Sequence, residues 1–172
     1  MRKMRIEMDN LIIIGMPGVG KSTVGVILAK VLGYQFIDSD LVIQERKKRL
    51  LHEIISAEGV QGFIEIENQI NASLQVHRAV IATGGSAVYG KEAMANFKSI
   101  GKIIYLKLSY EQIEERLSDI KGRGVALRDG QTLKDLYEER TMLYDKYADI
   151  IINEENLTVE ETITTITEAI NI

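Results

Sequence analysis

Short, largely apolar runs lie at residues 11–14, 34–37, 79–82, 102–108 and 149–152, and the second of them stops at Asp38 and the third at Thr83-Gly84-Gly85-Ser86. Runs of this length bounded by turn formers predict buried strands, because a helix would need a longer apolar stretch with gaps at its solvent face. Between them the spacing changes to threes and fours. Residues 21–32 form a predicted helix with Gly33 as C-cap, and 39–58 reads as two short helices broken near 47–49, with Ser39 or Asp40 as N-cap. Phe63, Ile66, Ile70 and Leu74 place one apolar face on a helix over 59–75. Further helices are expected at 91–97, at 110–119 capped by Ser109, at 132–147 capped by Thr132, and at 158–170 with Val159, Ile163, Ile166 and Ile170 as its buried stripe. Residues 120–131 hold three glycines and two arginines with no sustained period, which predicts a mobile loop. Strands alternating with helices imply an α/β fold, a three-layer α/β/α sandwich around a central five-stranded parallel sheet. Residues 1–172 are expected to form a single domain, with no repeat and no low-complexity run.

Composition narrows the function classes. The chain has no cysteine, so a disulfide framework, a thiolate zinc site and a thiol nucleophile are excluded, and a reducing cytoplasm suits it. Its net charge of −4 is spread over interspersed acids and bases, which argues against a nucleic-acid surface and for a small-molecule partner, with a monomer expected. Arg2, Lys3 and Arg5 precede an apolar run too short for a signal peptide or a membrane span. His52 and His77 lack ligand-spaced companions and read as surface residues.

One stretch carries specific chemistry. After the first strand the chain reads Gly15-Met16-Pro17-Gly18-Val19-Gly20-Lys21-Ser22-Thr23, a G-x-x-x-x-G-K-S pattern between a strand and a helix. Glycines there let successive backbone N–H groups turn onto phosphate oxygens, Lys21 reaches the β- and γ-phosphates of a nucleoside triphosphate, and the Ser22 hydroxyl is placed for Mg²⁺. The helix beginning near Lys21 aims its positive end at the same anion. In a parallel sheet of this kind ligands gather at the carboxyl ends of the strands. The first strand there ends in the phosphate loop, the second in Asp38 and Asp40, and the third in Gly84-Gly85. Phosphoryl transfer from ATP needs a metal, positive charge on the moving group and an acceptor hydroxyl held in line. Asp38 can serve the metal's water shell, Asp40 can accept a hydrogen bond from an acceptor hydroxyl, and Arg123 in the loop can fold over the phosphates. Arg140 by itself reads as a helix-surface ion-pair residue.

From Leu11 onward the chain resembles the shikimate kinases, through GMPGVGKST at 15–23, FIDSD at 36–40, Gly62-Phe63 with Glu65 and Glu67, TGG at 83–85 and ERTMLY at 139–144. The resemblance implies a core, a substrate-binding segment at about 39–75 and a lid at about 120–131. It also implies ATP and Mg²⁺ as the cofactors, Asp38 serving the metal, Asp40, Gly84, Gly85 and Arg140 holding the substrate, and Arg123 contacting ATP phosphates. Phosphorylation of shikimate to shikimate 3-phosphate is the implied activity. The chain departs from the family at Ile64, where an arginine grips the substrate carboxylate, at Ser86, where a third glycine follows the third strand, and at Arg123-Gly124-Val125, where proline and leucines follow the arginine. Loss of one charge-assisted grip removes about 1.5–3 kcal/mol of acceptor binding. Shikimate is therefore the favoured acceptor, with another small hydroxyl acceptor, or an ATP-binding module with a decayed pocket, as alternatives. An adenylate-type kinase would carry Lys-Gly-Thr in the loop, a gluconate-type kinase a different segment after Asp40, and a GTP-operated switch an N-K-x-D; none is present.

Overall fold

The computed structural model describes residues 10–118 and 127–170. Five parallel strands, β1 (Asn10–Ile14), β2 (Gln35–Asp38), β3 (Ala79–Ala82), β4 (Gly101–Lys107) and β5 (Ile150–Asn153), form one sheet in the order β2-β3-β1-β4-β5. The α/β class and the five-stranded parallel sheet are as expected from the alternation of runs and periods. Strand β1 is central because it is apolar on both faces, all five residues being buried, as a strand covered by helices on each side requires. Asn10 ties its start to its neighbours: its amide donates to the carbonyls of Val76 and Ile100 and accepts from the Ala79 N–H. A buried side-chain amide is tolerated there because its polar atoms are all partnered.

The helices among the described residues are α1 (Lys21–Leu32), α2 (Ser39–Lys47), α3 (Leu51–Ala72), α4 (Lys91–Ile100), α5 (Tyr110–Ser118), α6 (Leu133–Tyr147) and α7 (Val159–Ala169), with a 3₁₀ turn at Ala87–Tyr89. Strand edges differ from the expected ones by a residue, since an apolar run does not reveal where the ladder hydrogen bonds stop. Two local readings need correction, the N-cap of α2 and the place of Val159. The N-cap of α2 is Asp38, whose Oδ1 accepts from the N–H groups of Asp40 and Leu41, so Ser39 and Asp40 lie inside the helix. The break expected at residue 59 is present, since Gly59 takes the non-helical φ 72°, ψ 173° and two helical segments of α3 meet there across a kink. Val159, in the first turn of α7, is 41% exposed, whereas Ile163, Ile166 and Ile170 of the expected stripe are buried, with Thr162 beside them.

Most of the core lies between the sheet and its helices. A smaller apolar cluster of Ile43, Ile54, Phe63 and Ile70 holds α2 and α3 together beside it. The break between these two helices falls at Lys48, which takes a left-handed conformation (φ 54°) as the C-cap of α2. The α2–α3 pair lies alongside the carboxyl end of β2, and α3 also packs on α4, where Asn68 donates to Glu92 and Asn96 donates to the Asn71 carbonyl. Residue Arg123 and the 119–126 part of the expected lid lie outside the described residues; of the remainder, residues 127–132 precede α6 without regular structure.

Candidate active site

The loop from Gly15 to Gly20 is anchored from below and open above. Met16 and Val19 are 1% and 2% exposed and belong to the core, so these two residues face the cleft with backbone alone. Gly15 must be glycine: its φ is +151°, and a Cβ would lie 2.7 Å from the Leu106 carbonyl oxygen of β4. Gly20, the N-cap of α1, has a φ of 89° with no atom within 4 Å of where its Cβ would be, so its constraint is conformational and the space above it is open. Lys21 follows at the first helical position. Its Nζ donates to the carbonyls of Gly15 and Met16, both at 2.8 Å, which folds the ammonium back over the loop. Arg116 of α5 braces the same loop by donating to the Gly18 carbonyl at 3.0 Å.

Beside the loop lie the ends of β2 and β3. Ser22 Oγ donates to Asp38 Oδ2 at 3.3 Å, while Asp38 Oδ1 caps α2, so one carboxylate links the phosphate loop to the α2–α3 unit. Asp40, in the first turn of α2, is held above the ordinary carboxylate range by burial and then by the neighbouring Asp38, against the pull of Lys21. Thr83 closes β3 onto β1 by donating to the Ile13 carbonyl, and Gly84-Gly85 follow at the cleft wall. Side chains press against both glycines from behind. A Cβ on Gly84 would come within 2.7 Å of Asp40 Oδ1 and of Glu67 Oε2, and one on Gly85 within 2.8 Å of Arg140 Nη1.

Arg140 is 2% exposed, in a buried stripe of α6 with Leu136 and Tyr144. The reading of it as a helix-surface ion-pair residue is therefore overturned. Its guanidinium lies 5.5 Å from the centre of the Tyr89 ring, and its Nε has no hydrogen-bond partner among the described residues. Tyr144 donates to the Gly85 carbonyl at 2.6 Å, fixing the glycine wall to α6. A buried guanidinium with an unused N–H beside a glycine wall is a ready site for an anionic oxygen.

A cleft of about 360 Å³ brings these parts together, lined by the loop, Lys21, Ser22, Thr23, Asp38, Asp40, Gly84 and Gly85. One end offers backbone donors, a helix N-terminus and an ammonium for a polyphosphate. The other offers two carboxylates for hydroxyls and, behind the glycines, a guanidinium for an acid group. Three participants were not assigned a role from sequence. Glu67, 1% exposed, carries a carboxyl whose pKa burial pushes up to about 7. Glu154, 6% exposed after β5, is likewise pushed up to about 7 by burial, with Arg116 and Lys21 opposing. Arg116 is the third. Its bond to Gly18 spans 98 positions, so no local pattern could have revealed it. Glu67 had a signal: it sits three residues after Ile64 and four after Phe63, on a helix face that is otherwise buried.

A family model described as Shikimate kinase matches residues 17–171. A shikimate kinase of Thermodesulfovibrio yellowstonii is 38% identical over 157 residues, covering 90% of each chain. One from Francisella tularensis subsp. novicida is 36% identical over 159 residues, with the same coverage. Among solved structures, a shikimate kinase from Acinetobacter baumannii in complex with shikimate superposes with a TM-score of 0.85 at 29% identity, covering 96% of this chain and 94% of that one.

Proposed function

The chain belongs to the shikimate kinase family, ATP-dependent small-molecule kinases that phosphorylate shikimate, and we propose that its cleft divides this work among the residues just described. The observation that supports the reading is the convergence of a phosphate loop with Asp40, Gly84 and Gly85 on one cleft, with Arg140 set against Gly85. The loop from Gly15 to Thr23 wraps the ATP phosphates, and Lys21 turns from its two carbonyls toward the β- and γ-phosphates. The shikimate carboxylate is taken by Arg140, and the hydroxyl that is to be phosphorylated lies between Gly84 and Asp40. That hydroxyl oxygen attacks the γ-phosphorus, the bond to the β,γ-bridging oxygen breaks, ADP leaves, and the hydroxyl proton passes toward Asp40. A carboxylate whose affinity for protons is raised by burial is suited to that last task. Arg123, from the lid at about 120–131, covers the developing charge.

A hard divalent cation fits the residues present. Ser22 and Asp38 supply one hydroxyl and one carboxylate 3.3 Å apart at the mouth of the phosphate loop, a sparse oxygen set of the kind Mg²⁺ takes together with water and phosphate oxygens. When bound, Mg²⁺ supplies charge neutralisation on the β- and γ-phosphates. We further propose that the protein acts as a monomer in the cytoplasm; among the described residues no helix is long and apolar enough to cross a membrane.

Arg140 is the discriminating test. Arg140→Met keeps the bulk of the side chain and removes its charge, so the KM for shikimate is expected to rise by roughly ten- to a hundredfold, for about 1.5–3 kcal/mol of lost charge-assisted bonding. The KM for ATP is expected to stay within about twofold. An unchanged shikimate KM would remove Arg140 from the acceptor site.

A further inference from the structure

Behind the glycine wall, Glu67 is held in an unusual way. Its Oε1 accepts a hydrogen bond from Ser86 Oγ at 2.5 Å, while its Oε2 is buried against Gly84 with no partner among the described residues. On its own helix the neighbouring position on the same face is Ile64, 7% exposed, which brings no charge. The charged groups that face it come from other elements: Asp40 of α2, Arg140 of α6 and Lys21 of α1. Among the described residues its only hydrogen-bond partner is thus a neutral hydroxyl, and the guanidinium expected to hold the acceptor carboxylate stands close by. Two anions would then compete for one buried cation, because the acceptor carboxylate enters a site that already contains Glu67.

Accepting shikimate as the acceptor, we infer that Ser86 and Glu67 form a positioning pair that couples acceptor binding to a proton. With a proton from solvent on Glu67, the full charge of Arg140 is left for the acceptor carboxylate; with Glu67 ionised, the two carboxylates share it. Glu67 acts on the acceptor carboxylate through Arg140, its Oε2 lying against Gly84 beside Asp40 Oδ1. Burial already raises its pKa to about 7, so the change falls within an accessible range. The Ser86 hydrogen bond favours the ionised form and sets where in that range the change begins.

The test is shikimate binding to the intact protein by calorimetry from pH 6 to pH 8.5, with nucleotide binding measured alongside. In the wild type the dissociation constant is expected to rise about tenfold across the range, one linked proton allowing at most tenfold per pH unit. Glu67→Gln keeps the Ser86 hydrogen bond and cannot ionise, so its affinity is expected to stay at the low-pH value throughout. Ser86→Ala removes the bond that favours the anion, and the loss of affinity is expected to begin at higher pH. Shikimate methyl ester, which lacks the anion, should bind the wild type without the trend. A purely structural role for Glu67 would shift affinity equally at every pH. A flat wild-type profile, or the same profile in Glu67→Gln, would overturn the coupling alone. No shikimate binding at any pH, with nucleotide binding intact, would overturn the acceptor assignment and the coupling with it.

Discussion

Lys21 and Ile64 show how differently two side chains of one cleft respond to replacement. Lys21 donates to two loop carbonyls, but the loop's shape rests on Gly15, Gly20 and the buried Met16 and Val19, so Lys21→Ala is expected to lose phosphoryl transfer by a hundredfold or more. Thermal stability should change by only a few degrees, which a melting curve beside a kinase assay would check; retained turnover would exclude Lys21 from the chemistry. Ile64 is the opposite case, a buried aliphatic residue on the face of α3 that carries Glu67. Ile64→Arg would set a guanidinium three residues from Glu67, near its unpartnered Oε2, so the inserted charge would have a carboxylate to meet. The shikimate KM is therefore expected to fall about tenfold, and a rise would mean that the position faces an apolar part of the acceptor. The phosphate loop was legible in the sequence because its whole chemistry lies within nine consecutive positions, Gly15 to Thr23. Arg140 was not, because its neighbours on α6 are largely polar and only packing reveals that its face is buried. The Ser86–Glu67 bond joins residues 19 apart on different elements, and no local pattern reports such a contact.

Strand β1 and helix α1 are joined by a turn that depends on a close approach to β4. Gly15→Ala would drive a Cβ into the Leu106 carbonyl, so it is expected to cost more than about 2 kcal/mol and to weaken ATP binding and stability together. Denaturant unfolding and nucleotide titration of that variant would check this, and a fully stable protein that binds ATP would show that the turn can relax. The strands could be read in advance because each is a short apolar run closed by a polar or turn-forming residue, a signal that burial on both faces of a parallel sheet imposes. Helix ends were harder. Asp38 caps α2 because it terminates β2 in an extended conformation, ψ 114°, and Ser and Asp at the next two positions competed equally for that role in sequence. Gly59 was visible as a break, and its φ of 72° bears that out; the two segments it separates stay together because Ile54 and Phe63, on either side of it, meet in one cluster.

Two buried carboxyls give the protein as a whole a pH signature. Glu67 and Glu154 each have pKa values raised from 4.5 to about 7, so the folded state binds protons that the unfolded chain releases, and stability is expected to fall as pH rises from about 4.5 through 7. On the acid side Asp135, which completes the capping box of α6, has its pKa lowered by hydrogen bonds from Thr132, and its contribution is lost as pH falls below the ordinary carboxylate range. The melting temperature should therefore peak near pH 4–4.5, decline through pH 7 and level off above it, and Glu67→Gln should flatten part of that decline; a melting temperature that rises between pH 5 and pH 7 would contradict the burial of these groups. The proposed division of the cleft, with ATP at the phosphate loop and the acceptor beside Asp40, Gly84 and Arg140, leads to one outcome for the intact enzyme. Purified protein given ATP, Mg²⁺ and millimolar shikimate should form ADP and a singly phosphorylated shikimate in equal amounts, identified by mass and by phosphorus resonance. No shikimate phosphate under those conditions, with another hydroxyl acceptor turned over readily, would contradict it.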